Sequence, residues 1–298
     1  MNRITSIKNH LSTTLDPQAS LREYRQRSRV NPEEIERIYY WEHHHHRKTI
    51  FEIIKQDPNF FKHVSLRESP RKEARQITWL QLKRIIKEAD MNYEKLTDPY
   101  IMHEYYMALA AFDMNLLTRW SVSVSLYAYA ITKLGTEKHQ QFARDAMTFK
   151  DIGCFALTEL AHGSNASGIK TRADYDHKNR RFIINTPEDT DMKIWIGASA
   201  QLANMSVVWA QLYMDGKNYG VHPFLVPLRD KKDHTVLPGI TIGDCGAKVG
   251  LNGVDNGFIL FKDVVIPYDN LLDKFSQITP EGKFQSPYET PAKRLGVF

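Results

Sequence analysis

The chain has 298 residues, 42% hydrophobic and 25% charged, enough for a sizeable buried core and about two domains. No run approaches the roughly 18 apolar residues of a membrane span, and the opening "MNRITSIKNHLSTTLD" lacks the apolar core of a secretory signal. The net charge of +5 and pI near 9.0 come from basic residues scattered among acids, which argues against a nucleic-acid-binding stripe.

In "RITSIKNHL", Arg3-Ile4 and His10-Leu11 stand five residues apart. That spacing resembles the N-terminal peroxisomal targeting signal, whose basic, apolar and His-Leu positions share one side of a short helix. Residues 1–30 therefore form an arm with a targeting signal, ending in the charged "SLREYRQRSRV". Helices follow over 31–150. Asn31 can cap, Pro32 suits the first helical position, and Glu33 and Glu34 favour the positive end of the helix dipole. The four histidines His43 to His46 invite a metal reading, but on a helix only His43 and His46 share a face and no third ligand is indicated. They are expected to be structural or solvated. The long apolar stretch over 100–135 suits interior helix, with Gly135 ending it and Thr136 starting the next.

After Lys150 the period changes to two. "IKTRADYD", "RRFIINTP", "MSVVWAQLYM", "YGVHPFLVPLR", "VLPGITIG" and "FILFKDVVIP" alternate or run apolar between turn residues, as in a sandwich or barrel of antiparallel strands over 151–276. Asn252-Gly253 and Asn256-Gly257 supply turn chemistry where positive φ is needed. Cys154 and Cys245 have neither disulfide nor zinc spacing. Residues 277–298 begin as a linker and end on "PAKRLGVF", the first turn of a further helix. The expected fold is α+β: an all-helical domain, then an antiparallel β domain.

The stretch "TELAHGSNASG", residues 158–168, packs small and hydroxylated residues around one carboxylate and one imidazole. It suits either a surface turn or a place where a large flat ligand lies on the backbone. A Walker loop, a GxGxxG fingerprint, a Gly-x-Ser-x-Gly elbow, HExxH and CxxC are all absent from the sequence, so redox or acyl chemistry has to come from a bound cofactor. A flavin suits the stretch, because its ring edge takes hydrogen bonds from backbone N–H groups and a hydroxyl, and its reduced form carries charge that such donors stabilise. Those arguments alone leave other flat ligands open.

"GCFALTELAHGSNASGIKTRADYD", "KIWIGA", "YGVHPFLVPLRD" and "PGITIGDCGAKVGLNGVDNGFILFKDVVIPYDNLLDKF" together resemble the peroxisomal acyl-CoA oxidases, relatives of the acyl-CoA dehydrogenases. The resemblance runs from about Leu21, and Leu160 with "HGSN" is the oxidase form. It implies a helical domain, a middle β domain and a C-terminal helical domain, the last missing from these residues, with FAD between the last two. It further implies that the backbone of Phe155, Ala156 and Leu157 and the Thr158 hydroxyl meet the flavin, that Gly163 and Ser164 lie by the cofactor, and that the Gly197 backbone approaches it. Trp195 is either a wall beside the ring or an ordinary core tryptophan. The implied reaction desaturates a fatty acyl-CoA and reduces O2 to H2O2; the base is a glutamate outside these residues, so no catalytic residue is assigned here, Glu159 included, and no metal. A homodimer or heterodimer of such subunits is implied. The chain departs from the family at Ala161, where a methyl restricts any positive φ, at Ile194, and at Ala200 and Gln201, where a Gly-Lys pair is usual. The alternative is a non-catalytic relative acting in ligand binding or heterodimer formation.

Overall fold

The computed structural model describes residues 19–40, 42–61 and 70–297. The Arg3-Ile4 and His10-Leu11 signal lies outside them. Residues up to His44 form one compact unit and residues from His45 onward a second. The first holds helices α1 (Ala19–Arg27) and α2 (Pro32–Tyr40). Asn31 caps α2 as expected, its Oδ1 accepting the Glu33 N–H at 3.0 Å, with Glu33 and Glu34 in the first turn. Because α3 (His44–Gln56) starts within the run, His43 lies in the turn before it and His44 to His46 form its first turn. His46 stacks edge-on against Tyr105, its Nδ1 3.3 Å from the phenol oxygen, a structural role.

In the second unit α3 is followed by α4 (Arg71–Glu88), α5 (Tyr93–Thr97), α6 (Pro99–Phe112) and α7 (Met114–Ser121), then a π-helical segment (Val122–Ala128), α8 (Tyr129–Leu134) and α9 (Gln140–Met147). The long helix expected over 100–135 is broken at Asp113, which ends α6 in extended backbone and caps α7 by accepting the Asn115 N–H at 2.8 Å. The first four N–H groups of any helix lack intrahelical partners, so an aspartate here favours two helices over one. Thr136 and His139 form a capping box ahead of α9.

Eleven strands are described. The main sheet joins β1 (Gly153–Ala156), β2 (Arg172–Asp176), β3 (Arg181–Asn185), β5 (Met205–Met214), β6 (Lys217–Pro227) and β9 (Val264–Pro267). A three-stranded sheet joins β4 (Lys193–Ile196), β7 (Ile240–Asp244) and β8 (Gly257–Phe261), and β10 (Gln277–Ile278) pairs β11 (Phe284–Gln285). The sheet is mixed, which corrects the antiparallel expectation: one edge of β5 pairs in parallel with β1 and then with β2, and its other edge pairs antiparallel with β6. Side-chain alternation identifies a strand but not its direction. Parallel pairing needs a long crossover, and here everything between residues 156 and 205 supplies it.

One apolar cluster joins helix residues such as Leu82, Leu109, Trp120 and Tyr127 to Val207, Trp209 and Leu225 of the sheet. A second lies within the β part around Phe182, Phe224, Ile259 and Phe261. Each fully buried side chain of this size contributes roughly 1.5–3 kcal/mol. The two clusters meet along β1, whose residues alternate: Cys154 and Ala156 enter the second, Phe155 and Leu157 pack on the first. Burial pushes the Cys154 thiol up to about 12.

The expected turn glycines work differently from the sequence reading. Positive φ falls on Leu251 and Gly246, not on Gly253 or Gly257. Gly253 is needed because a Cβ there would sit 2.6 Å from Thr78 Oγ1, and Gly257 because one would sit 2.7 Å from the Gly243 carbonyl oxygen. The residues of "PAKRLGVF" do form a helical turn, α10 (Pro291–Leu295), whose buried Arg294 donates to the Tyr219 carbonyl at 2.8 Å.

The π-helical segment is seated directly on β1. Ser123 Oγ donates to the Gly153 carbonyl at 3.0 Å, and the Tyr127 ring occupies the space a Gly153 side chain would need. Gly153→Ala is therefore expected to destabilise the chain by about 1–3 kcal/mol through overpacking, read as a lowered urea midpoint with an unchanged slope.

Candidate functional site

Beyond Ala156 the chain leaves the main sheet and meets β4 of the smaller one. The Ile194 N–H donates to the Thr158 carbonyl at 3.0 Å, and Glu159 and Lys193 form an antiparallel bridge beside it. Thr158 is half-buried, and neither its hydroxyl nor its N–H has a hydrogen-bond partner among the described residues. The register of β4 against β8 shifts between Lys193 and Ile196. Trp195, in that shift, has φ of +61° and is 55% exposed, held by Asn256 Nδ2 donating to its carbonyl at 3.1 Å. That geometry overturns the core reading of Trp195, since a bulge turns its side chain out of the sheet. Ala198 shares the left-handed conformation at +66°.

The remaining sequence-predicted residues fall around this junction. The next segment doubles back: the Leu160 and Ala161 N–H groups donate to the carbonyls of Met192 at 3.0 Å and Thr190 at 2.9 Å. Ala161 is not among the residues of positive φ, so its methyl imposes no backbone strain. Gly163 and Ser164 are exposed, and a Cβ on Gly163 would meet nothing within 4 Å, so that face is open. A Cβ on Gly197 would come within 2.6 Å of Val122 Cγ2, so the π-helical segment is what requires glycine there. Ala200 and Gln201 sit at a turn where Asp255 accepts the Gln201 and Leu202 N–H groups at 3.0 and 3.1 Å. The Thr158–Ile194 hydrogen bond thus brings residues 155–158 close to 194–197, while Ala156 is buried in the β core and Gly163 and Ser164 lie on the exposed loop that follows.

Sequence reasoning missed the group at the centre. Glu159 and Lys193 form an ion pair at 3.0 Å with both side chains fully buried. Glu159 Oε1 also accepts from the Thr171 N–H at 2.9 Å and the Thr171 hydroxyl at 2.6 Å; Oε2 accepts from the Lys170 N–H at 2.7 Å and lies 2.9 Å from His162 Nδ1. Lys193 Nζ donates a second time, to the Leu157 carbonyl at 3.0 Å. Burial disfavours the Glu159 carboxylate, but the Lys193 charge and the Thr171 and Lys170 donors outweigh it and hold the carboxyl below its ordinary range. Burial pulls the Lys193 ammonium down to about 8 against the opposing attraction of Glu159. A lysine opening a four-residue strand gave no signal of this, because its alternation alone does not say that it faces inward.

Glu159, His162 and Asp191 bring ligand atoms within 4.8 Å of one another. An ammonium already bonded to the same carboxylate makes a metal ion there electrostatically unfavourable. A flavin ring edge fits better: unpartnered donors at Thr158, an open backbone at Gly163, and a projecting indole suit a flat acceptor-rich group.

Two cavities, of about 650 and 370 Å³, lie along the π-helical segment and α8, and the smaller alone reaches β1, at Phe155. They share Ser125, Tyr129 and Lys133; the larger runs to Leu96 and Met102, the smaller to Phe155 and Trp209. The result is a mainly apolar groove leading from the helices to the candidate site.

The β part, residues 154–264, matches the family model described as acyl-CoA dehydrogenase, middle domain. Among curated proteins, the chain is 36% identical to the peroxisomal acyl-coenzyme A oxidase 2 of Arabidopsis thaliana, over 99% of this chain and 45% of that protein. The solved structure of Arabidopsis thaliana acyl-CoA oxidase 1 superposes with a TM-score of 0.76 at 31% identity, covering 92% of this chain and 41% of that one. Acyl-CoA oxidase-1 of Caenorhabditis elegans, solved with FAD and ATP, superposes with a TM-score of 0.70 at 30% identity, over 82% of this chain and 37% of that one. The chain is thus similar along nearly all of its length to acyl-CoA oxidases, and spans less than half the length of these relatives.

The lowered Glu159 carboxyl sets a pH test. A depressed folded pKa contributes stability that is present above the ordinary value of 4.5 and lost as pH falls through the folded value. Glu159→Gln should cost about 3–5 kcal/mol at pH 7 by leaving Lys193 buried without its counter-charge. Without that counter-charge Lys193 drops further below its ordinary range and opposes folding more as pH falls, so in urea unfolding measured from pH 7 downward the gap should first widen and then narrow below about 4.5, where wild-type Glu159 takes up its proton; a gap independent of pH would contradict the assignment.

Proposed function

We propose that this chain forms the FAD- and acyl-CoA-binding part of an acyl-CoA oxidase, which converts a fatty acyl-CoA and O2 into the trans-2-enoyl-CoA and H2O2 in the peroxisome. Residues 31–150 act as the helical domain, 151–276 as the flavin-binding β domain and 277–298 as a linker with the start of a further helix. The observation that carries the reading is the junction of Thr158 with Ile194: it brings residues 155–158 next to 195–197 while the Thr158 hydroxyl and N–H have no hydrogen-bond partner among the described residues. The FAD recorded in the Caenorhabditis elegans relative supports the cofactor, and the peroxisomal name of the Arabidopsis thaliana relative supports the compartment.

Bound FAD supplies the two-electron acceptor for the desaturation. The Thr158 hydroxyl and N–H, with the backbone of Phe155, Ala156 and Leu157, serve as donors to the ring edge, fixed before the cofactor arrives and so free of reorganisation. Gly163 and Ser164 give the cofactor access to open backbone, Gly197 positions the turn beyond β4, and Trp195 forms a wall beside the ring. The groove from Phe155 and Trp209 towards Leu96 and Met102 takes the apolar acyl tail. No carboxylate of this chain is proposed as the base. Glu159, next to Thr158, is committed to Lys193 and Thr171 on one oxygen and to Lys170 on the other. The active assembly is a homodimer or heterodimer of acyl-CoA oxidase subunits.

Titrating FAD into the purified chain should produce the shifted visible bands of a bound flavin, with a further change on adding a long-chain acyl-CoA. Thr158→Val should weaken FAD binding roughly two- to tenfold, the worth of one hydrogen bond of 0.5–1.5 kcal/mol. A chain whose flavin spectrum stays that of free FAD would overturn the proposal.

A further inference from the structure

We propose that Glu159 is a positioning residue that holds three backbone segments, 155–158, 162–164 and 194–197, as one rigid cradle for the cofactor. The inference rests on the flavin reading above and adds the group that sets its geometry.

Glu159 follows Thr158 directly, so fixing its carboxylate fixes the Thr158 donors to within one residue. Its partners come from every segment that meets there. From β4, Lys193 bonds Glu159 Oε1 and the Leu157 carbonyl, each at 3.0 Å, so one ammonium grips the residues on both sides of Thr158. From the loop, His162 lies 2.9 Å from Oε2 and is the residue before Gly163. From the approach to β2, the Lys170 and Thr171 N–H groups and the Thr171 hydroxyl complete the set at 2.6–2.9 Å. Asp191 reaches the same cluster from the turn before β4.

The charges explain why this group holds position. Glu159 and Lys193 are both fully buried, so turning the carboxylate towards a ligand would leave the ammonium without its counter-charge and a hydroxyl and two N–H groups without acceptors, each a penalty of about 1–3 kcal/mol or more. A proton-transfer group needs an open face, and this carboxylate has none. A rigid support behind the contacting shell is what keeps donors within the fraction of an ångström that their function requires.

The test uses the full chain with two kinds of variant. Glu159→Gln combined with Lys193→Met removes both buried charges together, which keeps the fold within reach of wild-type stability. Thr171→Val removes one hydroxyl bond, and Thr171→Ser restores it. Backbone hydrogen exchange is read without cofactor, and FAD affinity and the visible flavin spectrum with it. In the double variant, exchange over 155–164 and 194–197 should quicken at least tenfold while β5 and β6 keep their protection, and FAD affinity should fall at least tenfold. Thr171→Val should move both readings in the same direction, and Thr171→Ser should return them. Unchanged exchange over those segments in the double variant and in Thr171→Val would overturn the proposal. If the wild-type chain takes up no FAD, the functional reading fails on that result, and the exchange data still decide the positioning role.

Discussion

The arrangement of the candidate site depends on an ion pair withdrawn from water. Placing the Glu159 carboxylate and the Lys193 ammonium in a dry interior carries a desolvation penalty of several kcal/mol per ion, which their attraction offsets only where geometry is good and the remaining lone pairs and protons are taken up. Here they are: both carboxylate oxygens have donors, and the ammonium has a second acceptor in the Leu157 carbonyl. The pair adds little to overall stability relative to an apolar replacement. What it imposes is specificity of arrangement, because only one relative placement of β1, β4 and the loop between them satisfies every partner.

A second constraint couples this junction to the helices. The π-helical segment presents Val122, Ser123 and Tyr127 to the sheet. Two glycines make room for it: Gly153 beneath Tyr127 and Gly197 beneath Val122. Departures from α-helical winding are often found at functional positions, and here Ser125 and Leu126 of the segment line the smaller cavity while Val122, Ser123, Val124, Tyr127 and Ala128 are buried. Groove and candidate cofactor edge therefore share a wall, β1, whose alternation sends Phe155 to the helices and Ala156 to the β core.

A third feature keeps the smaller sheet in place. Arg119 of α7 donates to the Gly253 carbonyl at 2.7 Å and pairs with Asp255, and Asp255 in turn caps the N–H groups of Gln201 and Leu202 just beyond the Gly197 turn. The turn that follows β4 is thus tied to a helix through two buried charges. Asp255 reaches this turn through the turn's own backbone N–H groups, and the Gln201 side chain is left exposed.

Read alone, the sequence determined the order of helices and then strands, because apolar spacing of 3.6 or 2 is a local property, and it determined the caps at Asn31 and Thr136, because capping is settled within four residues. Composition left residues 158–168 open between a surface turn and a ligand-facing backbone, and only the family resemblance pointed to the second. The direction of β1 and β2 against β5, the exposure of Trp195, the true reason for Gly197 and Gly253, and the partnership of Glu159 with Lys193 were decided only by tertiary structure. Each depends on which distant segment lies opposite: 34 residues separate the members of the ion pair. Alternation says that a side chain faces one side of a strand, and only the packing of the whole chain says what waits there.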